Sequence, residues 1–179
     1  MKVLFGLSAL ALTAALSTAS VAATVDFSGA GSQGGGAYVE DGLIFDDVRV
    51  VQGNCTSASG PACAGLNKNE TSILVSVTDD VFSLDSLWYG VEGKKSVLTI
   101  TTDLGGLLVL GASMANTVID FTNLFGFANV SSITFTASGG NVRFDDLNIS
   151  MSAVPLPAAG LLLLGALGGL TVMRKRKMA

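Results

Sequence analysis

The chain has 179 residues, two cysteines and no histidine, and its 14 acidic and 10 basic residues leave a net charge of −4. Without histidine the usual imidazole base and metal ligand are missing, which excludes Ser-His and Cys-His catalysis and His-based zinc sites. The cations are few and clustered at the ends, which argues against nucleic acid as a partner, because phosphate binding is driven by Lys and Arg.

Residues 1–23 read as a secretory signal peptide. Met1-Lys2 forms a minimal positive start, residues 3–16 are an uncharged, mainly apolar run, and Ser20-Val21-Ala22 or Val21-Ala22-Ala23 offers small-residue cleavage sites. This segment is expected to be a signal helix removed on export. Much of the mean hydropathy of +0.58 comes from it and from the opposite end of the chain.

The body, residues 24–153, is long enough for one domain with its own core. All fourteen acids fall within it and only five cations do (Arg49, Lys68, Lys94, Lys95 and Arg143), so its net charge is −9. Short stretches rich in Val, Ile, Thr and Phe follow one another, at 24–28, 43–51, 72–77, 81–89, 96–102, 107–110, 117–121, 132–137 and 142–150. Ile133-Thr134-Phe135-Thr136-Ala137 alternates most cleanly. Asp103-Leu-Gly-Gly and Ser138-Gly-Gly-Asn mark turns between strands, and the 29–36 stretch is a flexible Gly-rich run. No stretch carries a 3.6-residue period. Eight or nine strands in this length predict an all-β fold, an antiparallel β-sandwich of jelly-roll type.

Cys55 and Cys63 stand in a Gly/Ser/Pro-rich loop. In an exported protein such an isolated pair predicts a disulfide; a zinc site would need two more ligands. Asp26, Glu40, Asp41, Asp145 and Asp146 would gather if the first and last strands pair, and carboxylates are the ligands that Ca²⁺ prefers. A structural Ca²⁺ held by Asp26, Glu40, Asp145 and Asp146 is one reading. The other makes Asp46-Asp47, Asp79-Asp80 and Asp145-Asp146 solvated strand ends or turn caps. Trp88 and Tyr89 could stack on sugar rings, but their strand pattern points to the core. The four Asn-x-Ser/Thr sequons, at Asn54, Asn69, Asn129 and Asn148, are read as incidental. No catalytic set emerges, so the chain is read as a non-enzyme.

Residues 154–179 are the most specific part of the chain. Pro155 and Pro157 keep the backbone extended and end any strand or helix arriving from the body. Residues 158–173 carry no charge and would make about 24 Å of helix, close to a membrane span. Arg174, Lys175, Arg176 and Lys177 then act as a stop-transfer cluster that stays cytoplasmic. A type I topology follows, with the body outside the cytoplasm.

This tail resembles the PEP-CTERM class of bacterial C-terminal sorting signals, in the variant named for its Val-Pro-Leu-Pro-Ala core. Val154, Pro155, Leu156, Pro157 and Ala158 match that core, with Leu156 where the parent class has Glu. The resemblance implies a Gram-negative bacterium and delivery to an integral-membrane exosortase that cleaves near the prolines. An ordinary membrane anchor is the plainer alternative. A Gram-positive sortase signal is a poorer match, because Leu156-Pro157-Ala158-Ala159-Gly160 lacks the threonine that sortase attacks. More loosely, Val25-Asp26-Phe27, the segment from Tyr38 to Leu43, the stretch from Gly126 to Phe135 and Phe144-Asp145-Asp146-Leu147 resemble, in their order, domains common in proteins with such tails, which are similar to carbohydrate-binding jelly rolls. The expectation is a non-enzymatic exported protein of the cell surface or extracellular matrix. Its alternative is a surface-anchored carbohydrate-binding module that takes extracellular polysaccharide as partner.

Overall fold

The computed structural model describes residues 21–52, 55 and 60–152, which belong to one compact unit. Residues 1–20 of the predicted signal helix and the tail, with its sorting motif, membrane helix and basic cluster, lie outside the described residues; the last three residues of that predicted helix, Val21 to Ala23, are strand. Among the described residues no helix is long and apolar enough to cross a membrane.

Twelve strands make up the described chain: β1 (Val21–Val25), β2 (Tyr38–Glu40), β3 (Leu43–Phe45), β4 (Arg49–Gln52), β5 (Ala62–Leu66), β6 (Thr71–Ser76), β7 (Phe82–Val91), β8 (Val97–Thr102), β9 (Leu107–Gly111), β10 (Thr117–Asp120), β11 (Ser132–Ser138) and β12 (Val142–Met151). A single 3₁₀ turn, Ala112–Met114, joins β9 to β10. All named pairings are antiparallel. The first sheet runs β10-β7-β12-β5-β4, with β1 also on β12; the second runs β2-β3-β6-β11-β8-β9. The first and last strands pair as expected, from Val21↔Met151 to Val25↔Leu147.

The alternation in the sequence sets which side chains face inward. In β11, Ile133, Phe135 and Ala137 are buried while Ser132, Thr134, Thr136 and Ser138 are half-buried on the other side. Aromatic rings join the two sheets. Phe144 of β12 stacks on Phe135 of β11 with centroids 4.9 Å apart and planes within 10°, and lies 6.0 Å from Phe45 of β3. Phe27 closes the cluster against Tyr38 at 5.0 Å. These residues share one core with Val25, Leu74, Leu98, Ile100, Leu147 and Ile149.

Twelve described strands stand where eight or nine were expected, β2 lies in none of the expected ranges, and three boundaries differ. The first strand begins at Val21 and ends at Val25, where 24–28 was expected, because Phe27 takes a positive φ of 54° and turns the chain. The 43–51 run is two strands in different sheets. Asp46 makes the corner between them: its Oδ1 accepts from the Ile73 N–H at 2.6 Å and the Asp47 N–H at 2.7 Å. Ala62–Leu66 was expected to be loop, yet it is a fully buried strand between β4 and β12. Its small residues make room for Arg143, whose Nη1 would lie 2.6 Å from a Cβ added at Gly65. The predicted disulfide is present, Cys55 to Cys63, with Cα atoms 5.8 Å apart.

Candidate functional site

Three of the acids singled out in the sequence gather near one end of the β1–β12 pair. Asp26 follows β1, Glu40 ends β2, and Asp145 lies fully buried in β12. Glu40 is the centre of the arrangement. Its Oε2 accepts from the Phe27 N–H at 3.1 Å and from the Tyr38 hydroxyl at 3.1 Å. Tyr38 and Glu40 are two residues apart on one strand, so they share a face and the hydroxyl reaches the carboxylate without distortion.

The electrostatics follow from this packing. Burial pushes the Glu40 carboxyl above its ordinary range, against the hydrogen bonds from Phe27 and Tyr38 that pull it down. The Tyr38 hydroxyl is pushed far up, first by burial and then by the negative charges of Glu40, Asp26 and Asp145. Asp26 is held low by hydrogen bonds from Ser28, whose N–H lies 2.9 Å from Asp26 Oδ1. At neutral pH this corner is negative, with the tyrosine locked as a neutral donor.

The other two acids stand apart from that centre. Asp41 forms a two-residue hairpin turn with Gly42, both at positive φ (47° and 80°), the geometry that an Asp-Gly pair favours between β2 and β3. Asp146 sits at φ 49° in a β-bulge, where the β12–β7 register shifts between Asp145 and Asn148. Among the described residues no three His, Cys, Asp or Glu side chains group as metal ligands. Asp46-Asp47 and Asp79-Asp80 occupy corners and turns, as the capping reading expects: Asp47 Oδ1 accepts from the Gly36 N–H at 2.8 Å, and the Thr78 hydroxyl donates to Asp80. Asp145 departs from that reading, since it is interior to a strand and not a solvated end.

An open cleft of about 420 Å³ lies beside Glu40, lined by Gly29, Ala30, Gly31, Gln33, Ala37, Tyr38 and Val39. The sequence reading treated 29–36 as a flexible run and missed this wall. The Tyr38-x-Glu40 alternation was the signal that could have found it. A cleft with one oriented carboxylate and one amide can accept hydrogen bonds from a small polar ligand. It holds no second carboxylate set across it, which two-carboxylate glycoside hydrolysis requires.

The aromatics behave as core. Trp88 is 6% exposed, its ring folded over Gly90, and Tyr89 is fully buried with its hydroxyl donating to the Leu110 carbonyl at 2.9 Å. Neither offers a ring to a sugar. Two of the body's five cations are committed to ion pairs, Arg49 with Glu70 at 3.1 Å and Arg143 with Glu92. The sorting motif Val154 to Ala158 and the Arg174 to Lys177 cluster lie outside the described residues. No family model matches the chain, and no curated protein matches it.

Proposed function

We propose that the protein is a non-enzymatic, exported bacterial surface or extracellular-matrix protein. Its β-sandwich is carried out of the cell as an inner-membrane-anchored precursor and then released through an exosortase-type cleavage of the tail. The observation that carries this reading is the order of the last 26 residues: Val-Pro-Leu-Pro-Ala, an uncharged run of fifteen more residues, then four consecutive cations. The signal-like start, the −9 charge of the body and the Cys55–Cys63 bridge all suit a domain that matures in an oxidising compartment. Within this reading the sandwich is a jelly roll. The pairing of the first strand with the last, and the repeated crossing of the chain between two antiparallel sheets, support that finer assignment.

Intact-mass measurement of the exported protein tests the proposal. The mature species should lack the residues from about Pro155 onward. Replacing Pro155→Ala and Pro157→Ala together should leave export unchanged and block that loss. A surface species that still carries Arg174 to Lys177 removes the processing step and leaves plain anchoring.

The cleft beside Glu40 favours one second reading, a surface-anchored carbohydrate-binding module. A glycan array probed with and without EDTA addresses it. Sugar binding that Glu40→Gln weakens would support the cleft, and binding unchanged by EDTA would leave Ca²⁺ out of it. A blank array removes the reading.

A further inference from the structure

The strands of the second sheet put no charge on its outward side; the nearest carboxylate, Asp46, stands at the rim, where its Oδ1 accepts from the Ile73 N–H. Of the residues in its six strands, only Glu40 is ionisable as an acid or base near neutral pH, and its carboxylate is turned to Phe27 and Tyr38. The outward positions are instead aliphatic or hydroxylated and stand in straight cross-strand rows. One row runs Ile73↔Thr134↔Thr101↔Leu107 across β6, β11, β8 and β9, and the Thr136↔Thr99 pair lies beside it. Ile73 and Leu107 are 38% and 64% exposed.

From this face we infer that two copies of the chain meet back to back through their second sheets. The inference stands on the described residues alone and does not depend on the tail. Three arguments select a second copy over other occupants. The domain carries −9, so two copies repel wherever carboxylates face each other, and this face is where they can approach without burying like charges. A charged partner, by contrast, would leave its own charges desolvated and unpaired there. Threonine hydroxyls both donate and accept, so a threonine array complements a copy of itself while its methyl groups pack. The size is adequate but small. Six strands about 4.8 Å apart, averaging about five residues at about 3.4 Å because β2 and β3 have only three each, give a face near 500 Å², or about 1,000 Å² buried in total. That is the lower limit of specific interfaces, so the dimer should be weak and of micromolar order.

The test uses the full chain in mild detergent. Sedimentation should show a monomer–dimer equilibrium, and Ile73→Lys with Leu107→Lys should weaken it at least tenfold by placing cations opposite cations. Trp88 fluorescence reports whether the variant stays folded. Because the tail could itself associate, a second measurement reads the face directly. Ile73→Cys should cross-link between copies with a short bis-maleimide, while Asn148→Cys on the first sheet should not. A monomeric wild type, an unchanged equilibrium in the Lys variant, or cross-linking confined to Asn148→Cys each overturns the inference. A monomer whose glycan binding is lost in the Lys variant overturns it too, and assigns the face to a neutral polysaccharide.

Discussion

Phe144→Ala is the substitution that weighs most on the joint between the two sheets. The ring is fully buried and touches three others, at 4.9 Å (Phe135), 6.0 Å (Phe45) and 6.3 Å (Phe27). Removing a buried Phe typically costs about 3–5 kcal/mol, from lost transfer energy plus the residual cavity. Each ring pair adds roughly 0.5–1.5 kcal/mol beyond its area. With the Phe135 stack lost, the upper part of that range applies, about 4 kcal/mol or more. For a domain of about 130 residues the unfolding entropy is roughly 0.27 kcal/mol/K at the midpoint, so Tm should fall by about 15 °C. Urea titration followed by the fluorescence of Trp88, the one tryptophan in the chain, measures the loss directly. The matched control is Phe125→Ala, where the ring is 86% exposed and the change should stay within about 0.5 kcal/mol. If the two variants lose equal stability, Phe144 does not bridge the sheets and the packing described above is wrong.

Two further predictions concern the disulfide and the half-buried Glu40 carboxylate. Reducing Cys55–Cys63, which spans a sequence separation of 8, should lower stability by about 2–3 kcal/mol through the loop entropy regained by the unfolded chain; unfolding curves with and without reductant, at unchanged m value, measure it. Burial raises the Glu40 carboxyl, so the folded state holds that proton more tightly than the unfolded state does. The stabilisation is therefore complete below the ordinary value of 4.5 and is lost as pH rises through the folded-state value. Glu40→Gln, which can still accept from Tyr38 and Phe27, should flatten the pH–stability curve just above that value, and an unchanged slope there would count against the burial argument.

The strand content of the body was legible in its residues, because period-two alternation such as Ile133 to Ala137 is what a sheet with one buried side demands. Turns were legible for a similar reason. Ser138-Gly-Gly-Asn joins β11 to β12, and a Cβ at Gly139 would fall 2.0 Å from the Lys95 carbonyl oxygen. What escaped the sequence were features set by distant partners. Ala62–Leu66 has small residues because Arg143 of β12 lies across Gly65, and nothing near Gly65 in the chain announces that neighbour. The break at Asp46-Asp47 was hidden because hydrophobic residues continue on both sides while the strand changes sheets. The acid cluster was half legible. Pairing of the terminal strands drew Asp26 and Asp145 toward Glu40, but the hairpin claimed Asp41 and the bulge displaced Asp146. The cleft was lost because glycine-rich composition says how freely a segment can bend and not which wall it will form.

The antiparallel contact between β1 and β12 brings Val21 beside Met151, so the chain enters and leaves this unit at neighbouring points. In a precursor held at both ends, before residues 1–23 are removed, tension between those two points would load the ladder one rung at a time, in the manner of a zipper, and β1 would detach first. The ten-residue β12, gripped along its other side by the equally long β7, would stay in place. Such an arrangement gives way locally at low force and preserves the remaining sandwich, a mechanical fuse at the point where the chain meets whatever holds its ends.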